Sequence, residues 1–219
     1  MYFSVIIPVY NRPEELRNLL QSLSNQTFTD FEVVIVEDGS DFTAETILGE
    51  FQEKLNICYH FQENTGQGFA RNKGMELAKG DYFVFFDSDC VIPSGYFKIL
   101  NSVIKERGLD AHGGPDDAED EFSSWQKAMN FSMTAFLTTG GIRGKMKDPA
   151  KYQARGYNMG FSREVYKEVG GFIHPNMAED IELSIRIKKA GFNLELVADA
   201  FVYHHRKNDF ASFIRQSHQ

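Results

Sequence analysis

Apolar and polar positions follow two periods in the first half of the chain. Short apolar runs rich in β-branched and aromatic residues predict strands, and segments with apolar residues at helical spacing lie between them. The predicted strands cover residues 3–9, 31–36, 56–61 and 82–86, and predicted helices begin near Asn11, Ala44 and Gly68. Because strands alternate with helices, we expect an α/β fold with a mostly parallel, doubly wound sheet.

The pattern loosens beyond residue 105. An acidic stretch begins at Asp110, and large apolar side chains at helical spacing follow it, at Trp125, Met129, Met133 and Phe136. This spacing favours a helix packed on the core, with an acceptor-side or membrane-surface helix as the alternative.

A glycine-rich basic stretch then interrupts the acidic chain, with charges at Arg143, Lys145, Lys147, Lys151 and Arg155. A solvated loop and a lid over a phosphate or an anionic acceptor both fit this stretch. Order returns at residues 157–161, followed by predicted helices at 163–169 and from Ala178 to Gly191, and by a strand at 194–197.

Composition and charge exclude several classes of protein. A length of 219 residues fits one domain, and 42% hydrophobic with 25% charged residues is ordinary for a globular protein. A net charge of −8 argues against a nucleic-acid-binding protein. Cys58 and Cys90 lack C-x-x-C spacing, which favours a reducing compartment over a disulfide framework. The sequence shows no signal peptide or membrane span, so we expect a cytoplasmic protein, with attachment to the inner face of the membrane left open.

Two carboxylates follow the most apolar predicted strand. Asp87 and Asp89 come directly after residues 82–86, a run without polar interruption that predicts a strand buried on both faces. Ligands bind open α/β sheets at the carboxyl ends of strands. Side chains two apart on an extended segment share a face, so we expect both acids to point at one ligand. Such a pair suits Mg²⁺ or Mn²⁺ completed by substrate phosphates, whereas a polar turn is the alternative.

Several such signals occur in a fixed order along the chain. They are Val36-Glu37-Asp38-Gly39-Ser40, Gly68-Phe69-Ala70-Arg71-Asn72-Lys73-Gly74, Asp87-Ser88-Asp89, Gly170-Gly171-Phe172, Glu179-Asp180-Ile181-Glu182-Leu183 and Val202-Tyr203-His204. The ordered set resembles the large family of inverting, nucleotide-sugar-dependent glycosyltransferases of the GT-A fold, family 2. The resemblance runs from about Ser4 to the C-terminus. It implies one GT-A domain over residues 1–219, with a nucleotide-sugar-binding half at 1–105 and an acceptor-binding half at 106–219.

The resemblance implies nucleotide-binding roles for Pro8, Tyr10, Asp38, Arg71 and Asp87. The carboxylate of Asp38 would accept a hydrogen bond from the imide N–H of uracil, which favours a UDP-sugar as the donor, with GDP- and dTDP-sugars as the alternatives. The alternative for Asp38 is a helix cap or turn residue, since Asp-Gly favours turns. The alternative for Arg71 is an arginine on the surface of a helix.

The metal site implied by the resemblance contains Asp89, Asp87 and His204. Asp89 is favoured as the direct ligand of Mg²⁺ or Mn²⁺, with Asp87 nearer the ribose. His205, at the next position, competes with His204 for the same role, and ordinary surface histidines remain the alternative for both.

Asp180 matches the catalytic base of the family, and Glu179, Trp125 and Asn158 are expected on the acceptor side. A pair of acids that caps a helix is the alternative for Glu179 and Asp180. The implied reaction is a single displacement that moves a sugar from the donor to a hydroxyl of a glycan or lipid-linked acceptor, with peripheral membrane association left open. The sequence does not indicate the oligomeric state.

Two features depart from the family pattern. Asp41 follows Ser40 directly, where the family often has a spacer, and the chain stops at Gln219, shortly after residues 213–216, where many relatives continue into further helices. We therefore expect a shortened or minimal catalytic domain.

Three other kinds of protein fit the sequence less well. A sugar-nucleotide-forming nucleotidyltransferase would carry a glycine-rich, lysine-bearing N-terminal loop, and residues 9–13 do not resemble one. A dinucleotide-dependent oxidoreductase would need a full G-x-G-x-x-G motif after the first strand. A non-catalytic nucleotide-sugar or glycan-binding module is disfavoured because all three key acids, Asp38, Asp89 and Asp180, are present.

Overall fold

The structure is a computed structural model that describes residues 1–117, 152–176 and 178–204. Its strands are β1 (Phe3–Val9), β2 (Phe31–Asp38), β3 (Ile57–Gln62), β4 (Tyr82–Phe86), β5 (Cys90–Val91), β6 (Ala111–Gly113), β7 (Asp116–Asp117), β8 (Asn158–Ser162), β9 (Leu194–Leu196) and β10 (Val202–His204). Its helices are α1 (Pro13–Ser24), α2 (Glu45–Leu48), α3 (Gln67–Leu77), α4 (Tyr96–Arg107), α5 (Arg163–Val169) and α6 (Glu179–Lys189). None of the helices in these ranges is long and apolar enough to cross a membrane.

The described residues form one large sheet with the strand order β3-β2-β1-β4-β8-β6-β9. The first four strands are mutually parallel, whereas β8 runs antiparallel to both of its neighbours. The prediction of a mostly parallel α/β sheet is therefore confirmed, and β8 is its antiparallel exception.

The sheet is buried on both faces. Along β1, Phe3, Val5 and Ile7 face one apolar layer that includes α1 and α4, while Ile6 faces the other layer with α3 and α6. This alternation follows from the two-residue period of a strand. All five residues of β4 are buried, as the uninterrupted apolar run predicted.

The strand order reverses beside β1 and thereby fixes where polar loops meet. The chain winds outward from β1 to β2 and β3, then returns to place β4 on the other side of β1. In open α/β sheets, such a reversal leaves a crevice at the carboxyl ends of the strands, where ligands bind. Residues 10–12 after β1 and 87–89 after β4 therefore lie at the expected binding edge.

A second, smaller sheet in the described part of the chain joins distant segments at this edge. Strand β10 pairs with β5 in antiparallel register and with β7 in parallel register. The register places His204 opposite Cys90, directly after Asp89. The pairing explains how a residue near the C-terminus reaches the acids after β4.

Two helices differ from the sequence prediction. The helix expected to begin near Ala44 is regular only over Glu45–Leu48. Helix α4 was not predicted, although Phe97, Leu100 and Ile104 recur at helical spacing and are buried. Its C-terminal signal was also present, since Gly108 follows in the left-handed conformation that ends many helices.

Candidate active site

Arg71 on α3 lies at the centre of the polar cluster. Its side chain is only 1% exposed. Nη2 donates to Asp87 Oδ1 at 2.8 Å, and Nη1 donates to Glu179 Oε1 at 3.0 Å. Its Nε has no hydrogen-bond partner among the described residues. A helix-surface arginine, the alternative for this position, is excluded by this burial.

Asp89 is held between Arg12 and His204. Arg12 Nη1 donates to Asp89 Oδ2 at 2.9 Å, and His204 Nε2 lies 2.9 Å from Oδ1. Burial favours the neutral acid, but the hydrogen bond and charge of His204 together with the charge of Arg12 outweigh it and lower the pKa of Asp89. The carboxylate form is therefore the one the site stabilises.

Cys90 adds a thiol that the sequence prediction missed. Donor atoms of Asp89, Cys90 and His204 all lie within 4.8 Å of one another. Burial, and then the charges of Asp87 and Asp89, raise the pKa of the Cys90 thiol well above its usual value. The thiol is therefore kept protonated, which leaves the carboxylate and the imidazole as the donors that fit a divalent cation.

The segment Asp87-Ser88-Asp89 is a turn, since the backbone N–H of Cys90 donates to Asp87 O at 3.1 Å. The expectation that both acids share one face of an extended segment is therefore wrong. Asp89 contacts His204, whereas Asp87 contacts Arg71. A metal contact of Asp87 stays a prediction.

Asp180 lies in the first turn of α6, where carboxylates are favoured by the helix dipole. Its Oδ2 accepts a hydrogen bond from the backbone N–H of Gly156 at 3.0 Å, and Oδ1 accepts from the N–H of Ile181 at 2.7 Å. Arg155 Nη1 lies 3.8 Å from Oδ1. The carboxylate is 17% exposed, so part of it remains open to a substrate.

Glu179, the neighbour of Asp180, points into the protein. Its side chain is 5% exposed, and Oε1 accepts from Gln67 Nε2 at 2.8 Å in addition to Arg71. The two acids of this helix start thus have different environments. A direct contact between Glu179 and an acceptor stays a prediction.

Asp38 ends β2 and organises the entry to α3. Its Oδ1 accepts from Gln62 Nε2 at 2.8 Å and from the backbone N–H of Thr65 at 3.0 Å, while Oδ2 accepts from the N–H of Gly66 at 2.8 Å. These contacts match the turn-forming alternative. A hydrogen bond from a nucleotide base to this carboxylate stays a prediction.

The loop after β1 carries the other proposed nucleotide contacts. Pro8 is partly buried within β1, and Tyr10 directly after it is 52% exposed. Asn11 has a positive φ of 54°, and its Oδ1 accepts from the N–H groups of Asp41 and Phe42. The loops after β1 and β2 are thereby fixed to each other, and Tyr10 is left accessible.

Asn158 lies inside the core. Tyr96 Oη donates to its Oδ1 at 2.6 Å, and its Nδ2 donates to Pro115 O and Ala200 O at 3.2 and 2.9 Å. The residue is fully buried, so any effect on an acceptor would act through the segments it joins. Trp125 and His205 lie outside the described residues.

The two groups of acids meet through one arginine. Asp87 precedes Asp89 by two residues, Glu179 precedes Asp180 by one, and Arg71 bonds both Asp87 and Glu179. One end of the cluster can hold a cation and an anionic donor, and the other presents a carboxylate that can take a proton.

Known proteins resemble this chain in sequence and in fold. The model of the family described as Glycosyl transferase family 2 matches residues 4–170. Glycosyltransferase GlyA of Streptococcus pneumoniae is 41% identical over 108 residues, which are 49% of this chain and 16% of that protein. Validoxylamine A glucosyltransferase of Streptomyces hygroscopicus subsp. jinggangensis is 36% identical over 120 residues, which are 53% of this chain and 26% of that protein.

Two solved structures share the fold. S. aureus TarS 1–349 in complex with UDP-GlcNAc matches with a TM-score of 0.74 at 24% identity, covering 97% of this chain and 61% of that chain. The mannosyltransferase PcManGT from Pyrobaculum calidifontis, in complex with GDP-Man and Mn²⁺, matches with a TM-score of 0.77 at 19% identity, covering 98% of this chain and 60% of that chain. This likeness confirms the single-domain GT-A architecture; the chain spans only part of each relative's length.

Proposed function

Because the chain belongs to glycosyl transferase family 2, we propose that it moves a sugar from a nucleotide-diphospho-sugar to an acceptor hydroxyl with inversion at the anomeric carbon. The observation that carries the proposal is the buried link from Asp87 through Arg71 to Glu179, which joins a metal-compatible group to Asp180. The proposed donor is a UDP-sugar, and the proposed acceptor is a glycan or a lipid-linked glycan.

In the proposed mechanism, Asp89 and His204 hold the donor end of the site. Arg12 and His204 keep the Asp89 carboxylate ionised and oriented at the carboxyl end of β4. A bound Mg²⁺ or Mn²⁺ would neutralise charge on the departing nucleoside diphosphate. Asp87 remains tied to Arg71 beside this group.

Asp180 is the proposed base. Its carboxylate accepts the proton of the acceptor hydroxyl while the hydroxyl oxygen bonds to the anomeric carbon and the carbon–phosphate oxygen bond breaks on the opposite face. The N–H groups of Gly156 and Ile181 hold the carboxylate in place before the reaction. Holding both reactants in line provides much of the rate enhancement.

A panel of nucleotide sugars tests the proposal. The panel starts with UDP-GlcNAc and GDP-Man, the donors bound in the two structural neighbours, each with Mn²⁺, Mg²⁺ or EDTA. We expect slow release of the nucleoside diphosphate to water that depends on the divalent ion, and faster release when a matching acceptor from a glycan and lipid-linked glycan screen is added.

The anomeric configuration of the product, read by NMR, tests inversion. An α-linked donor should give a β-glycoside or the β-anomer of the free sugar as first product. Binding of donors without any turnover across the panel would instead identify a nucleotide-sugar-binding module and remove the proposed activity.

A further inference from the structure

We propose that Arg71 is a positioning residue that fixes the N-terminus of α6, and with it Asp180, against the acids that follow β4, without contacting the donor. The inference rests on the proposed function for the role of Asp180. It differs from the direct nucleotide contact that the family resemblance implies for this arginine.

The guanidinium of Arg71 is enclosed by protein. Its Cζ lies 5.4 Å from the centroid of the Phe172 ring. On the backbone of Gly156, a side-chain carbon would meet Nη2 at 2.9 Å and Cζ at 3.0 Å. Both terminal nitrogens donate to buried or half-buried carboxylates. A side chain that is 1% exposed in this setting has no surface left for a phosphate.

Two side chains of α3 jointly hold Glu179 in place. Gln67 and Arg71 are four residues apart and therefore lie on one face of the helix. Both donate to the same Oε1 of Glu179, at 2.8 and 3.0 Å. The first residue of α6 is thus anchored to α3, and Asp180 follows it directly.

The same arginine also supports the second restraint on Asp180. Gly156 packs against the guanidinium and donates its backbone N–H to Asp180 Oδ2 at 3.0 Å. Displacement of Arg71 would therefore disturb both the helix start and the backbone that orients the carboxylate. Asp89, in contrast, is held by Arg12 and His204, neither of which is bonded to Arg71 in the described residues.

Arg71→Lys is the informative variant. It keeps the positive charge, so Glu179 is not left as an uncompensated buried anion, but an ammonium group lacks the planar fork that reaches two carboxylates. The matched control is Arg163→Lys. Arg163 caps Ala78 O and Gly80 O just beyond the opposite end of α3 and lies over the Phe83 ring at 4.9 Å, away from the site.

The first measurement is independent of turnover. Hydrogen exchange of the Gly156 and Ile181 amides, followed by NMR, reports the two bonds to the Asp180 carboxylate. We expect exchange at both amides to rise about tenfold in Arg71→Lys and to stay at the wild-type rate in Arg163→Lys. Unchanged exchange at both amides in Arg71→Lys would overturn the inference.

The second measurement separates positioning from donor contact. For Arg71→Lys we expect kcat for metal-dependent release of nucleoside diphosphate to fall about 30-fold, because a misplaced base loses in-line geometry. The dissociation constant of UDP in Mn²⁺ should stay within about threefold of wild type. A rise in that constant of about tenfold or more, with kcat retained, would show a direct nucleotide contact and overturn the inference.

A double-variant cycle completes the test. Glu179→Gln and Arg71→Lys weaken the same link, so their effects on kcat should be less than additive, whereas Arg163→Lys should add independently. Failure of the wild-type protein to turn over any nucleotide sugar would count against the proposed function alone, since the amide exchange still decides the role of Arg71.

Discussion

At the scale of single residues, Asp180 is the side chain on which the proposed chemistry depends. In Asp180→Asn, we expect kcat to fall by about 10²–10⁴-fold, because the amide cannot take the acceptor proton. The amide oxygen can still accept from the N–H of Gly156, although the bond from the N–H of Ile181 is lost, so donor affinity should stay close to wild type. Steady-state kinetics and calorimetric titration with UDP and Mn²⁺ measure the two effects separately.

Glu182→Gln provides the control for Asp180→Asn. Glu182 lies in the same turn of α6, but its carboxylate pairs with Arg186 instead of facing the site. Its kcat should remain within about twofold of wild type, as expected for a partly exposed pair. If Asp180→Asn turned over as fast as Glu182→Gln, another group would have to be the base.

His112 is a second residue whose chemistry can be tested alone. It is fully buried between Tyr82 Oη, 3.0 Å from Nδ1, and Tyr96 Oη, 3.2 Å from Nε2, and burial lowers its pKa from 6.5 to about 3. Between these values the unfolded chain binds a proton that the folded protein excludes. The free energy of unfolding should therefore fall as the pH drops, by up to about 1.4 kcal/mol per pH unit from this group.

His112→Gln removes this contribution. Between pH 7 and pH 5, urea unfolding should show a wild-type loss about 2 kcal/mol greater than the loss in His112→Gln. Equal slopes for wild type and His112→Gln would show that the buried imidazole does not titrate as described.

At the scale of elements, the start of α3 depends on a close backbone approach at Gly68. The N–H of Gly68 donates to Pro175 O at 2.7 Å, and an added side-chain carbon would meet His174 O at 2.2 Å. In Gly68→Ala the segment at 172–176 must move, so we expect the free energy of unfolding to fall by about 1–3 kcal/mol. Urea denaturation checks this value.

Gly49→Ala is the matched control for Gly68→Ala. Gly49 has helical dihedrals, and nothing lies within 4 Å of an added side-chain carbon. This substitution should be neutral or stabilise the protein by up to about 1 kcal/mol, since it restricts the unfolded chain. A loss of similar size in both variants would contradict the proposed contact between α3 and the 172–176 segment.

Elements with a strong local pattern could be predicted from the sequence, and elements made by long-range pairing could not. Strands β1 and β4 begin and end where the apolar runs do. Strand β8 contains Asn158 and Gly160, which are poor strand formers, and it is a strand because β4 and β6 pair with its two edges. The periodicity of a single segment carries no information about such partners.

The candidate active site shows the same division between what the local sequence predicts and what depends on long-range contacts. The acids proposed for catalysis and metal binding could be chosen from the order of the motifs along the sequence. Their contacts could not be predicted, because these depend on the fold. Arg12 reaches Asp89 across 77 residues of sequence, and Arg71 is buried because α6, Phe172 and Gly156 pack against it. Cys90 enters the cluster because β10 pairs with β5. Each of these contacts is tertiary and leaves no local signal.

At the scale of the whole molecule, the proposed donor would bind at the carboxyl ends of β1 and β4, where Arg12 and His204 meet Asp89. A ligand that binds only the folded protein raises its stability by RT ln(1 + [L]/Kd), about 2.7 kcal/mol at 100 times Kd. For a domain of this size, that gain corresponds to a rise in the unfolding midpoint of roughly 5–11 °C. We expect UDP with Mn²⁺ to produce such a shift.

The dependence of this shift on the ion locates the binding site. UDP without Mn²⁺ should raise the midpoint by much less, because the diphosphate would then face the carboxylates of Asp87 and Asp89 without a cation between them. In Asp89→Asn the additional effect of Mn²⁺ should disappear, while Glu182→Gln should respond as wild type does. Differential scanning fluorimetry over a series of UDP and Mn²⁺ concentrations measures the midpoint of the wild type with and without Mn²⁺, of Asp89→Asn and of Glu182→Gln. A full Mn²⁺ effect in Asp89→Asn would place the ion elsewhere and separate the acids after β4 from donor binding.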